Sequence, residues 1–259
     1  MPCPLPLRTA LLLCGTLASL TASLARGEWR KLDDFNHTAP SPDQPPSLWA
    51  AANDTAAFRA TTEVQRPGNG FLATRASTKQ SLGYLSYSRP MGFPNPVREA
   101  TYFFRFRLGG TQGGRILTHL VLGGEAAEVL NQQSSGLRLT FEGGFSAVTL
   151  KRTTRYGTGE VLSGIQADRW LAVWVVCNLP AKRYALYIAP DDAPKATAEF
   201  LLDDQPEVRG PALTDALHLI VKGASQAMRL DLDDFYIDPN GANLTNPTAA
   251  APADPAPKR

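Results

Sequence analysis

Asp231–Asp238 reads DLDDFYID, and a shorter copy of its centre, KLDDF, stands at Lys31–Phe35. Leu-Asp-Asp-Phe thus occurs near both ends of the protein and nowhere between. Side chains alternate between the two faces of a strand. Strict alternation would put Leu and the second Asp on one face, and the first Asp and Phe on the other. Two terminal strands with one pattern suit an antiparallel sandwich in which the first and last strands pair. Phe35 and Phe235 would then plug a core, with Asp33, Asp34, Asp233 and Asp234 near a sheet edge.

The intervening sequence supports the same class. Apolar residues recur at period two in short runs separated by Gly, Pro, Asn and Asp clusters, the pattern of an all-β sandwich. In ATYFFRFRL, Tyr102, Phe104, Phe106 and Leu108 share one face, while Thr101, Phe103, Arg105 and Arg107 share the other. Further strands are expected at GFLATRA, LGYLSYS, RILTHLVLG, GLRLTFEG, SAVTLKRTT, LHLIVKGA and MRLDLDDFYID. In RWLAVWVVCNLPAKRYALYIAP, both faces of Trp170–Cys177 are apolar, so this strand should be central and covered on both sides. LLDDQPEV contains Pro206 and reads as loop. The expected fold is a two-sheet antiparallel β-sandwich, a jelly roll, in one domain over residues 26–247. An Ala/Pro-rich tail follows at 248–259.

Residues 1–25 read as a secretory signal peptide. Arg8 precedes an apolar run without acids, and Ser23 and Ala25 occupy the −3 and −1 positions of a cleavage site. A lipoprotein anchor at Cys14 would follow Leu13, where a small residue is expected. The destination is secreted or periplasmic, and the short leader without a disulfide framework points to a bacterial host. The net charge is +2, and cleavage removes Arg8, so the near balance argues against nucleic acid as the main partner. Cys3 and Cys14 leave with the leader, so Cys177 has no internal disulfide partner and reads as a buried core thiol. No later segment is long and apolar enough to span a membrane. Asn36, Asn53 and Asn243 begin Asn-x-Thr sequons.

RWLAVWVVCNLPAKRYALYIA resembles the late hairpin of concanavalin A-like (laminin G-like) jelly rolls, and LDDFYIDPNGANLTNP resembles their closing strand. The resemblance implies two curved antiparallel sheets, one of which binds glycans in many relatives. It also frames the enzymatic alternatives. The Glu-x-Asp-x-x-Glu strand of laminarinase-like glucanases is absent here. Jelly-roll alginate lyases use an Arg-rich strand, a His and a Tyr. Arg105, Arg107, His119 and Tyr187 supply those residue types, without the fuller lyase motifs. Against that role, Arg105 and Arg107 read as a solvated strand face, and His119 as a core or rim histidine.

A glycan binder needs exposed aromatics and orienting polar groups. Lys151, Arg152, Arg155 and Tyr156 form a local basic patch suited to an acidic glycan, or a solvated hairpin tip. Converging carboxylates repel unless exposed or bridged, and Ca²⁺ accepts about six to eight oxygen ligands. A structural Ca²⁺ at Asp33, Asp34, Asp233 and Asp234 is thus weighed against solvated edge carboxylates; no other cofactor is expected. The expected role is a non-catalytic, monomeric binder of a polysaccharide or cell-surface glycan. A polysaccharide lyase acting on a uronate glycan and a structural envelope protein without a small ligand remain as alternatives.

The central-strand reading has a direct test. Trp174→Ala should destabilise the protein by roughly 3–5 kcal/mol, the range for a large core aromatic. A loss under about 1 kcal/mol in chemical denaturation would contradict it.

Overall fold

The structure is a computed structural model, which describes residues 27–36, 49–53, 58–64, 68–74, 83–87, 99–110, 115–122, 137–144, 149–154, 157–178, 183–203, 217–221 and 228–249. The described strands are, in sequence order, β1 (Arg30–Asp33), β2 (Trp49–Asn53), β3 (Phe58–Thr62), β4 (Gly70–Thr74), β5 (Gly83–Tyr87), β6 (Glu99–Gly110), β7 (Arg115–Leu122) and β8 (Leu137–Gly144). They continue as β9 (Thr149–Thr154), β10 (Gly157–Leu162), β11 (Leu171–Asn178), β12 (Arg183–Pro190), β13 (Ala198–Asp203), β14 (Leu217–Val221) and β15 (Met228–Asp238). They build two antiparallel sheets. An eight-stranded sheet runs β13-β12-β11-β6-β15-β4-β3, with β1 also on β15, and a seven-stranded sheet runs β10-β9-β8-β7-β14-β5-β2. The edge strands β2, β3, β10 and β13, and β1 on β15, are four to six residues long. β13 begins at Ala198 and takes Leu201–Asp203 of LLDDQPEV into the sheet by pairing with β12, where the sequence reads as loop.

One apolar layer fills the sandwich. Tyr102, Phe104, Phe106 and Leu108 of β6 meet Leu120, Leu139, Phe141 and Leu219 of the other sheet. β11 lies between β6 and β12. Its Val173, Val175 and Cys177 face this layer. Its Ala172 and Trp174 face outward with Phe103, under Trp29, Ala193, Ala196 and Leu244. The covering strap follows β15. Trp174 Nε1 donates to Thr245 O at 2.8 Å, Ala196 N to Leu244 O at 3.1 Å, and Asn246 Nδ2 to Asp191 O at 2.7 Å. β11 is thus buried on both faces, as its composition predicts. The strap also buries Asn243, whose Nδ2 donates to Asp238 Oδ2 at 2.9 Å, which closes that sequon to modification. Thr248 N donates to Asn246 Oδ1 at 2.9 Å, and residues 250–259 of the Ala/Pro-rich tail fall outside the described residues.

The terminal strands pair. β1 and β15 run antiparallel, with Arg30 opposite Ile237 and Lys31 opposite Tyr236. They do not alternate strictly. Between Asp233 and Tyr236 the ladder with β6 slips, so that two residues of β15 face the single Phe104. Asp234 takes φ 53° there, a left-handed conformation that Asp tolerates better than most residues. The extra residue lets Leu232 and Phe235 both enter the core while Asp233 stays on the outer face beside Arg105. The first copy shifts register between Lys31 and Asp33, and Phe35 adopts φ 52°. There too Leu and Phe both point inward. Asp33 holds this turn: Oδ1 accepts Phe35 N at 2.8 Å and Oδ2 accepts Trp49 Nε1 at 2.8 Å. Gly70 passes so close that an added Cβ would collide with Phe35 O. Phe35 and Phe235 pack edge to face at 6.1 Å, and Trp49 joins both at 6.2 and 5.6 Å.

The outer face of the eight-stranded sheet is charged, yet it is buried. Arg105 is only 3% exposed, which rules out the solvated face expected for it. Its guanidinium meets Asp191 at 2.8 Å, Asp233 at 2.5 Å and Asp234 at 2.5 Å. Arg107 pairs with Asp231 at 2.9 Å and Glu63 at 3.0 Å. Trp170 lies against both arginines at 5.1 and 4.6 Å and donates Nε1 to Glu63 Oε1 at 2.9 Å. Asn69 Nδ2 bridges Glu63 Oε2 and Asp233 Oδ2, each at 3.2 Å. Removing one partner from such a network strands buried charge.

Burial raises the pKa of Asp233, and the neighbouring Asp234 carboxylate raises it further, against the pull of Arg105. Burial also raises Asp234 and Asp231, despite their arginines. Asp34 lies the other way: burial pushes it up, but hydrogen bonds from Lys31 and Asn36 outweigh that and lower it. A carboxylate whose folded pKa is raised holds its proton more tightly folded than unfolded. Its contribution to stability is full below the ordinary carboxylate pKa and is lost as pH rises through the raised value. Asp34 acts only below the ordinary value. The thermal midpoint should therefore fall as pH climbs from the ordinary carboxylate range toward neutrality, and Asp233→Asn should flatten that slope. Arg105→Ala should cost about 3–5 kcal/mol. A wild-type midpoint that rises across that interval, or a harmless Arg105→Ala, would contradict this account.

Candidate functional site

The outer face of the seven-stranded sheet carries a different set of groups. Leu85, Leu120, Leu139 and Leu219 point into the core, so their neighbours along each strand point out. Register aligns those neighbours in rows. One row reads Tyr84, Ile220, His119, Thr140 and Lys151 across β5, β14, β7, β8 and β9. The next reads Ser86, His218, Val121, Arg138 and Thr153. Tyr84, His119, Arg138, Thr140 and His218 are all buried, while Ser86, Leu117 and Glu142 are half-buried. Polar groups in mid-sheet therefore make a floor, with partly exposed groups beside it.

Hydrogen bonds knit the rows together. Tyr84 Oη lies 2.6 Å from His218 Nδ1, and the two rings stack with centroids 5.8 Å apart. Burial raises the Tyr84 pKa, opposed by a hydrogen bond from Ser86, so the phenol stays protonated near neutrality. His119 Nδ1 lies 2.8 Å from Thr140 Oγ1. Burial lowers the Arg138 pKa, but a guanidinium stays charged at any ordinary pH. The face thus combines a phenol, two imidazoles, a hydroxyl and a fixed cation. Such groups hydrogen-bond sugar hydroxyls and neutralise a carboxylate.

Among the residues singled out in the sequence, His119 lies on this face. Lys151 and Arg152 belong to β9, with Lys151 in register with Thr140; Arg155 and Tyr156 fall outside the described residues. Arg105 and Arg107 lie on the outer face of the other sheet, in the ion-pair network. Tyr187 is also on that sheet, and its Oη donates to Glu199 Oε1 at 3.1 Å. The apolar layer separates Arg105, Arg107 and Tyr187 from His119, so these four share no groove. Asp233 and Asp234 meet Arg105, Asp34 pairs with Lys31 at 2.7 Å, and Asp33 holds the Phe35 turn. The cation among the Asp233 and Asp234 carboxylates is thus a guanidinium. Among the described residues, no group of three His, Cys, Asp or Glu is arranged to hold a metal ion. Cys177 is fully buried, and burial raises its thiol pKa far above the ordinary value.

Tyr84, Arg138, Thr140 and His218 escaped the sequence reading. Each lies in a run recognised as a strand, opposite the leucines that mark the core. Their convergence depends on register between strands far apart in sequence.

The sequence matches no protein-family model and no curated protein. Solved structures are similar in fold. A carbohydrate esterase from the Shiga toxin-encoding bacteriophage phi24B superposes with TM-score 0.54 at 11% identity, over 81% of this protein and 98% of that one. The catalytic domain of a GH131 β-glucanase from Podospora anserina gives TM-score 0.53 at 11% identity, over 84% and 98%. Lectin II from Ulex europaeus gives 0.50 at 11% identity, over 83% and 99%. Identity this low carries the fold and leaves activity open. Two antiparallel sheets, with the first and last strands paired in one of them, give the protein a jelly-roll sandwich fold similar to that of these lectin and glucanase structures.

Proposed function

We propose that this protein is a secreted, non-catalytic glycan-binding jelly roll whose ligand lies across the outer face of the seven-stranded sheet. The observation that carries the reading is the pair of rows in which Tyr84, His218, His119, Thr140 and Arg138 interlock. Burying polar groups in mid-sheet costs free energy that an ordinary solvated face does not incur. A site that orients sugar hydroxyls gives a reason for the cost. The similar lectin and carbohydrate-active structures support the same direction, and residues 1–25 support export. The opposite face is closed by the protein's own strap and ion pairs, and the half-buried Ser86, Leu117 and Glu142 beside the buried rows are where a ligand would first meet the seven-stranded sheet.

A second reading, a lyase on a uronate glycan, has one observation in its favour. The Tyr84–His218 bond and Arg138 share a face, so a phenol, an imidazole and a guanidinium could meet one uronate. The raised phenol pKa works against Tyr84 as a base near neutrality, and binding is therefore the stronger reading.

A glycan array with the full mature protein, followed by titration of the best ligand, tests both. Tyr84→Phe and His218→Gln, each shown to remain folded by circular dichroism, should weaken binding by about 0.5–1.5 kcal/mol, the worth of one hydrogen bond. Undiminished binding in both variants and in Arg138→Gln would place the ligand elsewhere. New ultraviolet absorbance on incubation with a uronate polymer would replace the binder with the lyase.

A further inference from the structure

The sequence contains two Asn-Gly pairs, Asn69–Gly70 and Asn240–Gly241. The fold treats them oppositely. Asn69 is clamped: its Nδ2 donates to Glu63 and to Asp233, each at 3.2 Å. Gly70 N is also engaged, donating to Asn36 Oδ1 at 2.5 Å. Asn240 stands exposed in the turn after β15, held only through its backbone N, which donates to Asp238 Oδ1 at 3.0 Å. Among the described residues, neither the Asn240 carboxamide nor the Gly241 N–H has a hydrogen-bond partner. Gly241 has φ 149°, a conformation that needs glycine, and the space where a Cβ would sit meets only Glu99 Oε2, at 3.8 Å.

An Asn followed by an unhindered amide can react with it. The Gly nitrogen attacks Cγ of the Asn carboxamide, and the new bond between them closes a five-membered succinimide. The Cγ–Nδ2 bond breaks, and ammonia leaves with the proton lost from the Gly nitrogen. Water then opens the ring at one carbonyl or the other, giving aspartate or isoaspartate. No oxidant or cofactor is required. The nucleophile must be free of hydrogen bonds and the carboxamide free to rotate; position 240 meets both conditions and position 69 meets neither.

We propose that Asn240–Gly241 is a self-modification site at which the folded protein converts Asn240 to aspartate and isoaspartate, while Asn69–Gly70 is protected. The consequence follows from what the turn holds. Thr101 Oγ1 donates to Gly241 O at 2.7 Å and accepts Asn243 N at 2.9 Å, which ties the strap to β6. Isoaspartate adds a backbone carbon just before Gly241 and draws its carbonyl off Thr101. Either product also adds a negative charge at residue 240, whose backbone N is held by Asp238. The strap supplies the carbonyl of Thr245 that Trp174 bonds, so ageing at residue 240 should loosen the cover over Trp174.

The test uses the full mature protein, incubated folded at mildly alkaline pH and sampled over time. Peptide mass spectrometry and enzymatic isoaspartate methylation should show modification accumulating at 240 and staying at background at 69. Asn240→Gln should abolish the signal. The aged wild type should lose near-ultraviolet tryptophan dichroism and melt lower, while aged Asn240→Gln keeps both. A urea-unfolded sample should react at both pairs, which fixes the intrinsic rates. An inert Asn240 in the folded protein, or equal reaction at Asn69, would overturn the proposal. Modification at 240 with unchanged tryptophan dichroism and melting would overturn its effect on the strap.

Discussion

The Arg105 guanidinium binds Asp233 and Asp234 of β15 and Asp191 after β12, and the outer face of the eight-stranded sheet is assembled around it. The Asp234 contact depends on the bulge in β15. Without the extra residue, strict alternation would turn Phe235 out of the core and Asp234 into it, while Asp233 would stay opposite Arg105. The bulge thus serves two ends with one backbone feature. It doubles the apolar grip of Leu-Asp-Asp-Phe, and it gathers acid where a buried cation needs it. Burial holds Asp231, Asp233 and Asp234 above the usual carboxylate range, and neighbouring carboxylates add to the rise at Asp233 and Asp234.

The first copy of the motif shares the geometry and differs in its partners. β1 adds to the edge of β15 that β4 leaves open, and its Asp33 bonds Phe35 N and Trp49 rather than an arginine. Phe35, Phe235, Trp49, Tyr87 and Phe104 then close the end of the sandwich. A bulky residue at positive φ is unfavourable by itself. It persists at Phe35 because aromatic packing and the Asp33 bond together over-determine it.

The two outer faces differ in their side chains. On the eight-stranded sheet, apolar groups lie under the strap and Arg105 and Arg107 pair with carboxylates. On the seven-stranded sheet, neutral donors and acceptors, two imidazoles and Arg138 form rows aligned by strand register. The pairing of β5, β14, β7 and β8 brings these side chains together.

Much of the architecture is written in local pattern. Period-two apolar runs and turn residues mark the strands of an all-β sandwich. The two-faced apolar run at Trp170–Cys177 marks an inner strand, and the repeated Leu-Asp-Asp-Phe marks the pairing of the two ends. Alternation also assigns Tyr102, Phe104, Phe106 and Leu108 to one face of β6 and Arg105 and Arg107 to the other. Pattern alone does not show what covers that second face. Two arginines two residues apart look solvated until Trp170, Glu63, Asp191 and three aspartates of β15 close over them. Alternation also misplaces Asp234 and Phe235, because a bulge is a property of two paired strands and leaves no mark in the period of either. The convergence of Tyr84, His218, His119 and Arg138 lies further beyond local reading. Each is the ordinary outward residue of its own strand, and only the long-range register among β5, β14, β7 and β8 makes them neighbours.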